Sequence, residues 1–290
     1  MGDYVIFTDS TADLSRKQIS DFNIKVLPLK YEINNKNYVN NLGKEDLPSL
    51  EFYNLLRQGS MATTSQVNQS EFTDMFEKDL SEGKDILYIA FSSMLSGTYA
   101  SSLIAKKNLK NKYPGRKILL IDTLSASAGE GLAVYLACEK KALGFSIEDN
   151  ANFIEKKKLD ICHWFVVDSL DHLKRGGRVS SAAAFLGGIL GIRPILHVNN
   201  DGKLEPVKKA RGKKLALNKI FEEFKKSIHP KEEQTIFISH ADSIEDAKYL
   251  AEKIKESFSV KQIFINSIGP VIGSHAGPGT IALFFLGKER

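Results

Sequence analysis

The residues best suited to chemistry in this sequence are hydroxyls gathered in two short clusters. Thr63-Thr64-Ser65-Gln66 precedes an apolar helical pattern, and Ser92-Ser93-Met94-Leu95-Ser96-Gly97-Thr98 lies where an apolar strand gives way to a helix. Ser and Thr hydroxyls donate to a carboxylate or phosphate without adding charge, which suits an anionic head that is held and later released. Gly97 lets backbone come close. The helix expected from residue 98 turns free amides and a positive dipole end toward the same place. The same residue types lead N-cap statistics, so residue chemistry alone leaves an anion site and ordinary capping side by side.

Two acidic loops have a similar character. Asp9-Ser10-Thr11-Ala12-Asp13 follows the first strand pattern, and Asp122-Thr123-Leu124-Ser125-Ala126-Ser127 follows a later one. Carboxylates at strand ends could hold Mg²⁺, but Asp13 and Ser125 stand just ahead of helical patterns, which favours capping. Arg175-Gly176-Gly177-Arg178 is a compact basic loop whose guanidiniums suit phosphate or carboxylate contact, or form an ordinary surface turn. His275-Ala276-Gly277-Pro278-Gly279-Thr280 sets a histidine in a tight loop. The chain contains no G-x-x-x-x-G-K-[ST] loop, no G-x-G-x-x-G opening the first helix and no G-x-S-x-G elbow. Neither Cys138 nor Cys162 has zinc-site spacing; both sit in apolar stretches, as expected of reduced, buried thiols.

The elements that must position these loops follow from periodicity. Strands are predicted at 4–7, 26–29, 86–91 and 118–121, alternating with helices at 13–22, around Phe52 and Leu56, around Phe72 and Phe76, and at 98–111 and 126–143. That alternation predicts a parallel sheet with helices on both sides, and in such a sheet ligands settle at the carboxyl ends of strands. A helix over 147–159 follows. Beyond it come strands at 162–167, 194–198, 203–208, 235–239, 262–267 and 280–286, with Asn199-Asn200-Asp201-Gly202 as a hairpin turn. Amphipathic helices around Leu217 to Phe224 and Ile244 to Ile254 complete this half. The expectation is α/β with two domains. Residues 1–160 form a three-layer α/β/α unit on a mainly parallel sheet, and residues 161–290 form a two-layer unit on a mixed or antiparallel sheet.

Composition excludes several classes of function. A net charge of +5, from 40 Lys and Arg against 35 Asp and Glu, is spread along the chain with no basic run longer than Lys156-Lys157-Lys158. A nucleic-acid binder concentrates its charge, so no nucleic-acid partner is expected. The most apolar segment, 182–192, is far shorter than the roughly 20 residues that span a bilayer, so the chain is expected not to span a membrane; transient membrane contact stays open. The N-terminus enters a strand pattern without a signal-peptide profile, so a cytoplasmic location is expected, with a monomer as the default.

The order of these loops resembles the signatures of the DegV family. Phe7-Thr8-Asp9-Ser10-Thr11-Ala12-Asp13, Thr63-Thr64-Ser65-Gln66, Ser92-Ser93-Met94-Leu95-Ser96-Gly97-Thr98-Tyr99, Arg175-Gly176-Gly177-Arg178 and His275-Ala276-Gly277-Pro278-Gly279-Thr280 occur in the family's order across the whole chain. Val67 stands where the family usually has Pro, and Arg193 where it often has Lys. The resemblance implies a carrier that binds a long-chain fatty acid such as palmitate, stearate or oleate and presents it to a fatty acid kinase subunit, with no cofactor and no catalytic residue of its own. It implies carboxylate contacts from Thr64, His275 and Ser96 or Ser93, with Thr63 and Ser65 beside them. Arg175 and Arg178 would face the partner or the phosphate.

An acyl tail needs a dry tunnel. About sixteen buried methylenes contribute on the order of 0.8 kcal/mol each, enough for tight binding after ordering costs. The small-residue segment 182–192, with Gly187, Gly188 and Gly191, is the candidate lining through Phe185, Leu186, Ile189 and Leu190; Phe284 and Phe285 read as core. The competing readings are an enzyme for phosphoryl or acyl transfer, with His275 as acid/base and Arg178 stabilising charge, and a regulatory or interaction protein.

Overall fold

Every residue of the two central parallel strands is buried, as covered faces on both sides of a sheet require. A computed structural model describes residues 3–42, 46–179, 191–229, 234–288 and 290. β1 (Tyr4–Asp9) and α1 (Arg16–Asp21) are followed by three short strands, β2 (Lys25–Leu27), β3 (Lys30–Ile33) and β4 (Lys36–Val39). Then come α2 (Ser49–Arg57), β5 (Ala62–Ser65), α3 (Gln69–Ser81), β6 (Asp85–Ala90), α4 (Thr98–Lys112), β7 (Ile118–Asp122), α5 (Ala128–Ala142) and α6 (Ile147–Lys157). The remaining elements are β8 (Ile161–Val166), α7 (Asp171–Arg175), β9 (Ile192–Val198), β10 (Leu204–Arg211), α8 (Lys213–Ser227), β11 (Thr235–His240), α9 (Ile244–Ser257), β12 (Gln262–Ser267), α10 (Pro270–Ala276) and β13 (Ile281–Leu286).

Strands β2-β1-β6-β7 form an all-parallel sheet, and β10-β9-β8-β13-β11-β12 form a sheet that is antiparallel except for the β11/β12 pair. The α/β architecture read from the sequence is therefore present. α5 joins the two sheets: almost every residue from Ala128 to Cys138 is buried, because one side packs on β1 and β6 and the other on β8, β11 and β13. On the outer faces, α3 and α4 cover the parallel sheet, and α8 and α9 cover the mixed one. Alternation along β8 sorts the two sides, with Ile161, His163 and Phe165 toward α5 and Cys162 and Val166 toward α8.

A third sheet, β4-β3-β5, has no counterpart among the strands expected at the outset. It moves Thr63-Thr64-Ser65 from a loop into β5, where Tyr31 of β3 pairs with Thr64. The alternation of β3, with Tyr31 and Ile33 buried against Phe52 and Tyr53 of α2, is what fixes it. Capping also differs from expectation. Ser15 with Gln18, not Asp13, forms the capping box of α1, and Ser125 turns its hydroxyl to the Thr123 carbonyl instead of to α5.

Candidate functional site

The loops that leave the carboxyl ends of β1, β6 and β7 sit together, as the parallel sheet requires. The amide of Ser92 donates to the Ser125 carbonyl at 2.9 Å and that of Ser93 to Asp122 Oδ1 at 3.1 Å, lacing two of them. Above this edge lies a pocket with about 970 Å³ of non-atom space, its solvent-filled mouth included. Its walls are mostly apolar, from Leu29, Phe91, Phe165, Val198, Leu204, Ile268 and Phe284, with polar groups gathered on one side.

Four of the five motifs supply that polar side. Thr64 Oγ1 lies 2.8 Å from His275 Nε2, joining β5 to α10 across 211 residues of sequence. Ser96 also lines the pocket; its Oγ accepts from the Thr98 amide at 3.2 Å and lies 2.9 Å from Thr98 Oγ1 at the start of α4. Gly97 at the same N-terminus and Ala126 and Ser127 ahead of α5 line it too, so two helix N-termini border the cavity. Arg178 lines the pocket half-buried, its Nε donating to the Leu95 carbonyl at 3.1 Å and Nη1 to the Gly176 carbonyl.

Two glycines of these motifs allow close approach. A Cβ on Gly176 would stand 2.1 Å from His275 Nδ1, and one on Gly97 would stand 2.1 Å from Gln66 Oε1. Burial, reinforced by the nearby charges of Arg178 and His172, pushes His275 down to about 4. The imidazole is therefore neutral, and its Nδ1 is buried with no hydrogen-bond partner among the described residues.

The remaining predicted residues are spread more widely. Ser65 lines the pocket, whereas Thr63 and Ser93 are exposed and do not. Arg175 is exposed with Nη2 3.2 Å from His172 Nδ1, outside the cavity wall. Phe185, Leu186, Ile189 and Leu190 lie outside the described residues. Phe285 belongs to the core on the far face of its sheet, but Phe284, expected there as well, lines the pocket. Among the described residues, no group of three or more His, Cys, Asp and Glu could hold a metal ion, and no helix is long and apolar enough to cross a membrane.

Two features of the site were not foreseen. His163 of β8 is 2% exposed and lines the pocket, edge-on to Phe284 at 5.4 Å, with no ring-nitrogen partner among the described residues beyond a backbone interaction with Ile161. Burial, with the charge of Arg290 nearby, holds it neutral by lowering its pKa well below the ordinary value. Its sequence signal is a polar residue whose period-two neighbours, Ile161 and Phe165, are apolar. The second is a buried carboxyl network that meets the pocket wall at Ser127. Glu130 Oε1 accepts from Thr8 Oγ1 at 2.7 Å, and Glu130 Oε2 lies 2.8 Å from Thr11 Oγ1, itself bonded to Asp9; Tyr88 OH donates to Asp9 Oδ2 at 2.7 Å. Asp13 accepts from Ser127 Oγ at 2.5 Å and from the Gly269 amide at 2.8 Å. Burial raises all three acids, Asp13 to about 7 and Glu130 well above the carboxylate range.

The chain is similar to known proteins along its whole length. The DegV domain-containing protein CPE0026 of Clostridium perfringens is 50% identical over 290 residues, covering 100% of this chain and 99% of its own. A crystal structure of a DegV lipid binding protein from Thermotoga maritima superposes with a TM-score of 0.86 at 30% identity, over 99% of both chains. A DegV family protein from Thermus thermophilus, described for its fatty acid binding, gives 0.87 at 30% identity over 98% of this chain and 99% of that one. The family model described as "Uncharacterised protein, DegV family" matches residues 3–288, and with half the sequence shared with one relative along the full length, the chain belongs to the DegV family.

Proposed function

We propose that this protein binds a long-chain fatty acid, with its carboxylate at Thr64, Ser96 and His275 and its tail in the apolar pocket, and hands it to a fatty acid kinase. The observation that carries the reading is the 2.8 Å Thr64–His275 contact at the polar side of an otherwise apolar cavity. With the proton on Nε2, neutral His275 donates to Thr64 Oγ1, and the Thr64 hydroxyl proton is left for a carboxylate oxygen. Ser96 adds a second neutral donor at a helix N-terminus, and the guanidinium of Arg178 adds charge to the pocket lining. The two solved relatives, one named for lipid binding and one for fatty acid binding, support the same ligand class.

The chain acts in this reading as a carrier without turnover of its own. Its neutral donors stabilise a carboxylate without activating a nucleophile, and the transferred phosphoryl group comes from the partner's ATP. Arg175, which is exposed, and Arg178 are the groups that would meet that partner. Native mass spectrometry of protein purified from a bacterial host tests the binding: a mass excess that organic extraction releases as fatty acid is expected, and its absence overturns the reading. Acyl phosphate should form only when kinase, ATP and this chain are combined; formation by this chain and ATP alone would make it an enzyme instead.

A further inference from the structure

The pocket holds one polar side chain that a plain hydrocarbon tail leaves unsatisfied. The polar side ends at α10 and Thr280, and from there Ala282 and Phe284 carry the wall along β13. Four residues of strand, Thr280 to Phe284, cover about 13 Å. At that depth His163 stands opposite Phe284 in the β8/β13 register. Gly129 lets the ring sit there, since a Cβ at that position would lie 2.2 Å from His163 Nε2.

The imidazole is 2% exposed, and apart from a backbone interaction with Ile161 its nitrogens find no partner among the described residues. Arg290 is occupied elsewhere, donating to the carbonyls of Ile161, Leu124 and Lys158 and to Ser125 Oγ. A neutral imidazole presents one N–H donor and one acceptor nitrogen. A methylene or an alkene answers neither, whereas a hydroxyl both donates and accepts. A site with a buried hydrogen-bonding group discriminates against the analogue that lacks the matching group.

We propose that the pocket selects a fatty acid carrying a hydroxyl part-way along its chain, with that hydroxyl hydrogen-bonded to His163. The inference rests on the fatty-acid reading of the pocket and names the substrate class within it. The test uses the full chain stripped of lipid, with a fluorescent fatty acid displaced by stearic acid or by monohydroxystearic acids whose hydroxyl is stepped along mid-chain. At one position in the series the hydroxy acid should bind tighter than stearic acid. That preference, read in each protein as the ratio of hydroxy acid to stearic acid affinity, should fall about tenfold (~1.4 kcal/mol) in His163→Leu. A series in which every hydroxy acid binds more weakly than stearic acid, by the same ratio in wild type and variant, overturns the assignment. Should His163→Leu fail to fold, the wild-type series decides alone: a peak at one hydroxyl position supports the inference, and a profile without one refutes it. Failure of stearic acid and all hydroxy acids to bind would instead remove the fatty-acid reading itself.

Discussion

Replacing Thr64 by Val is the most direct challenge to the proposed head-group site. Val keeps the β-branched shape that suits β5 and its pairing with Tyr31, and it deletes only the hydroxyl. In the unliganded protein the substitution loses one neutral contact to His275 at the half-buried edge of the pocket, about 0.5–1.5 kcal/mol. A chain of this size should then melt only about 2–4 °C lower per kcal/mol lost. In the complex it removes a donor to an ionised carboxylate, about 1.5–3 kcal/mol, so the dissociation constant for stearate should rise roughly 10- to 150-fold. Calorimetric titration of lipid-stripped wild type and variant, with a melting curve for each, separates the two effects. A variant that folds and loses less than about threefold in affinity refutes the Thr64 assignment. A collapse in melting temperature would show that the hydroxyl serves the β5–α10 junction instead of a ligand.

Other consequences are equally concrete. Because the native state keeps His275 neutral down to about 4 while the unfolded chain titrates near its ordinary value, the unfolded state gains protons as pH falls from about 6.5 to about 4, and stability drops by up to roughly 3 kcal/mol over that window. His275→Gln should flatten that part of the curve in urea titrations at stepped pH, and an unchanged slope would contradict it. Gly176→Ala drives a Cβ into a packed, hydrogen-bonded ring and should weaken stearate binding by at least about tenfold. Gly97→Ala meets only the flexible end of Gln66 and should be tolerated; equal effects in the two would show that the His275 position is not what matters. Glu130→Gln should fold within about 1 kcal/mol of wild type, whereas Glu130→Ala, which takes one partner from each of two buried hydroxyls and leaves a void in the packed interior, should cost on the order of 3 kcal/mol by chemical denaturation.

The periodic elements were legible in the sequence because each carries its own burial pattern. Continuous apolar runs marked β6 and β8, and α3 showed Phe72, Phe76 and Leu80 at helical spacing. The Asn199-to-Gly202 turn likewise announced the β9/β10 hairpin. The small β4-β3-β5 sheet was not legible. Its strands are four residues each, two of them mostly exposed, and pairing across 30 residues leaves no local trace. The motifs could be ordered but not brought together: nothing local says that Thr64 meets His275, that Gly176 makes room for that ring, or that Gln66 packs on Gly97. His163 was passed over for a related reason. Within an apolar strand one histidine reads as a half-buried residue, and only the fold shows that its face is the wall of a cavity.

The opening motif shows most clearly how composition misleads when protons are not counted. Asp9, Thr11 and Asp13 at a strand end suggested a cation site or a helix cap, yet the structure sets Thr11 between Asp9 and Glu130 and turns Asp13 onto Ser127. Thr11 Oγ1 has one proton, but it lies within bonding distance of both Asp9 Oδ1 and Glu130 Oε2, and both of those are acceptors if the acids are ionised. The hydrogen-bonded chain closes only if one of the two acids carries an extra proton, and Asp9, which already accepts from the Thr11 and Phe91 amides and from Tyr88 OH, leaves that proton to Glu130. The raised pKa of Glu130, caused first by burial and then by the charge of Asp9, points to the same state. One shared proton thus replaces a metal ion or a lysine in letting two acids lie buried together. The result is a brace from β1 to α5 with one charge instead of two, which fixes the N-terminus of α5, and with it Ser127 and Gly129, where the pocket needs them.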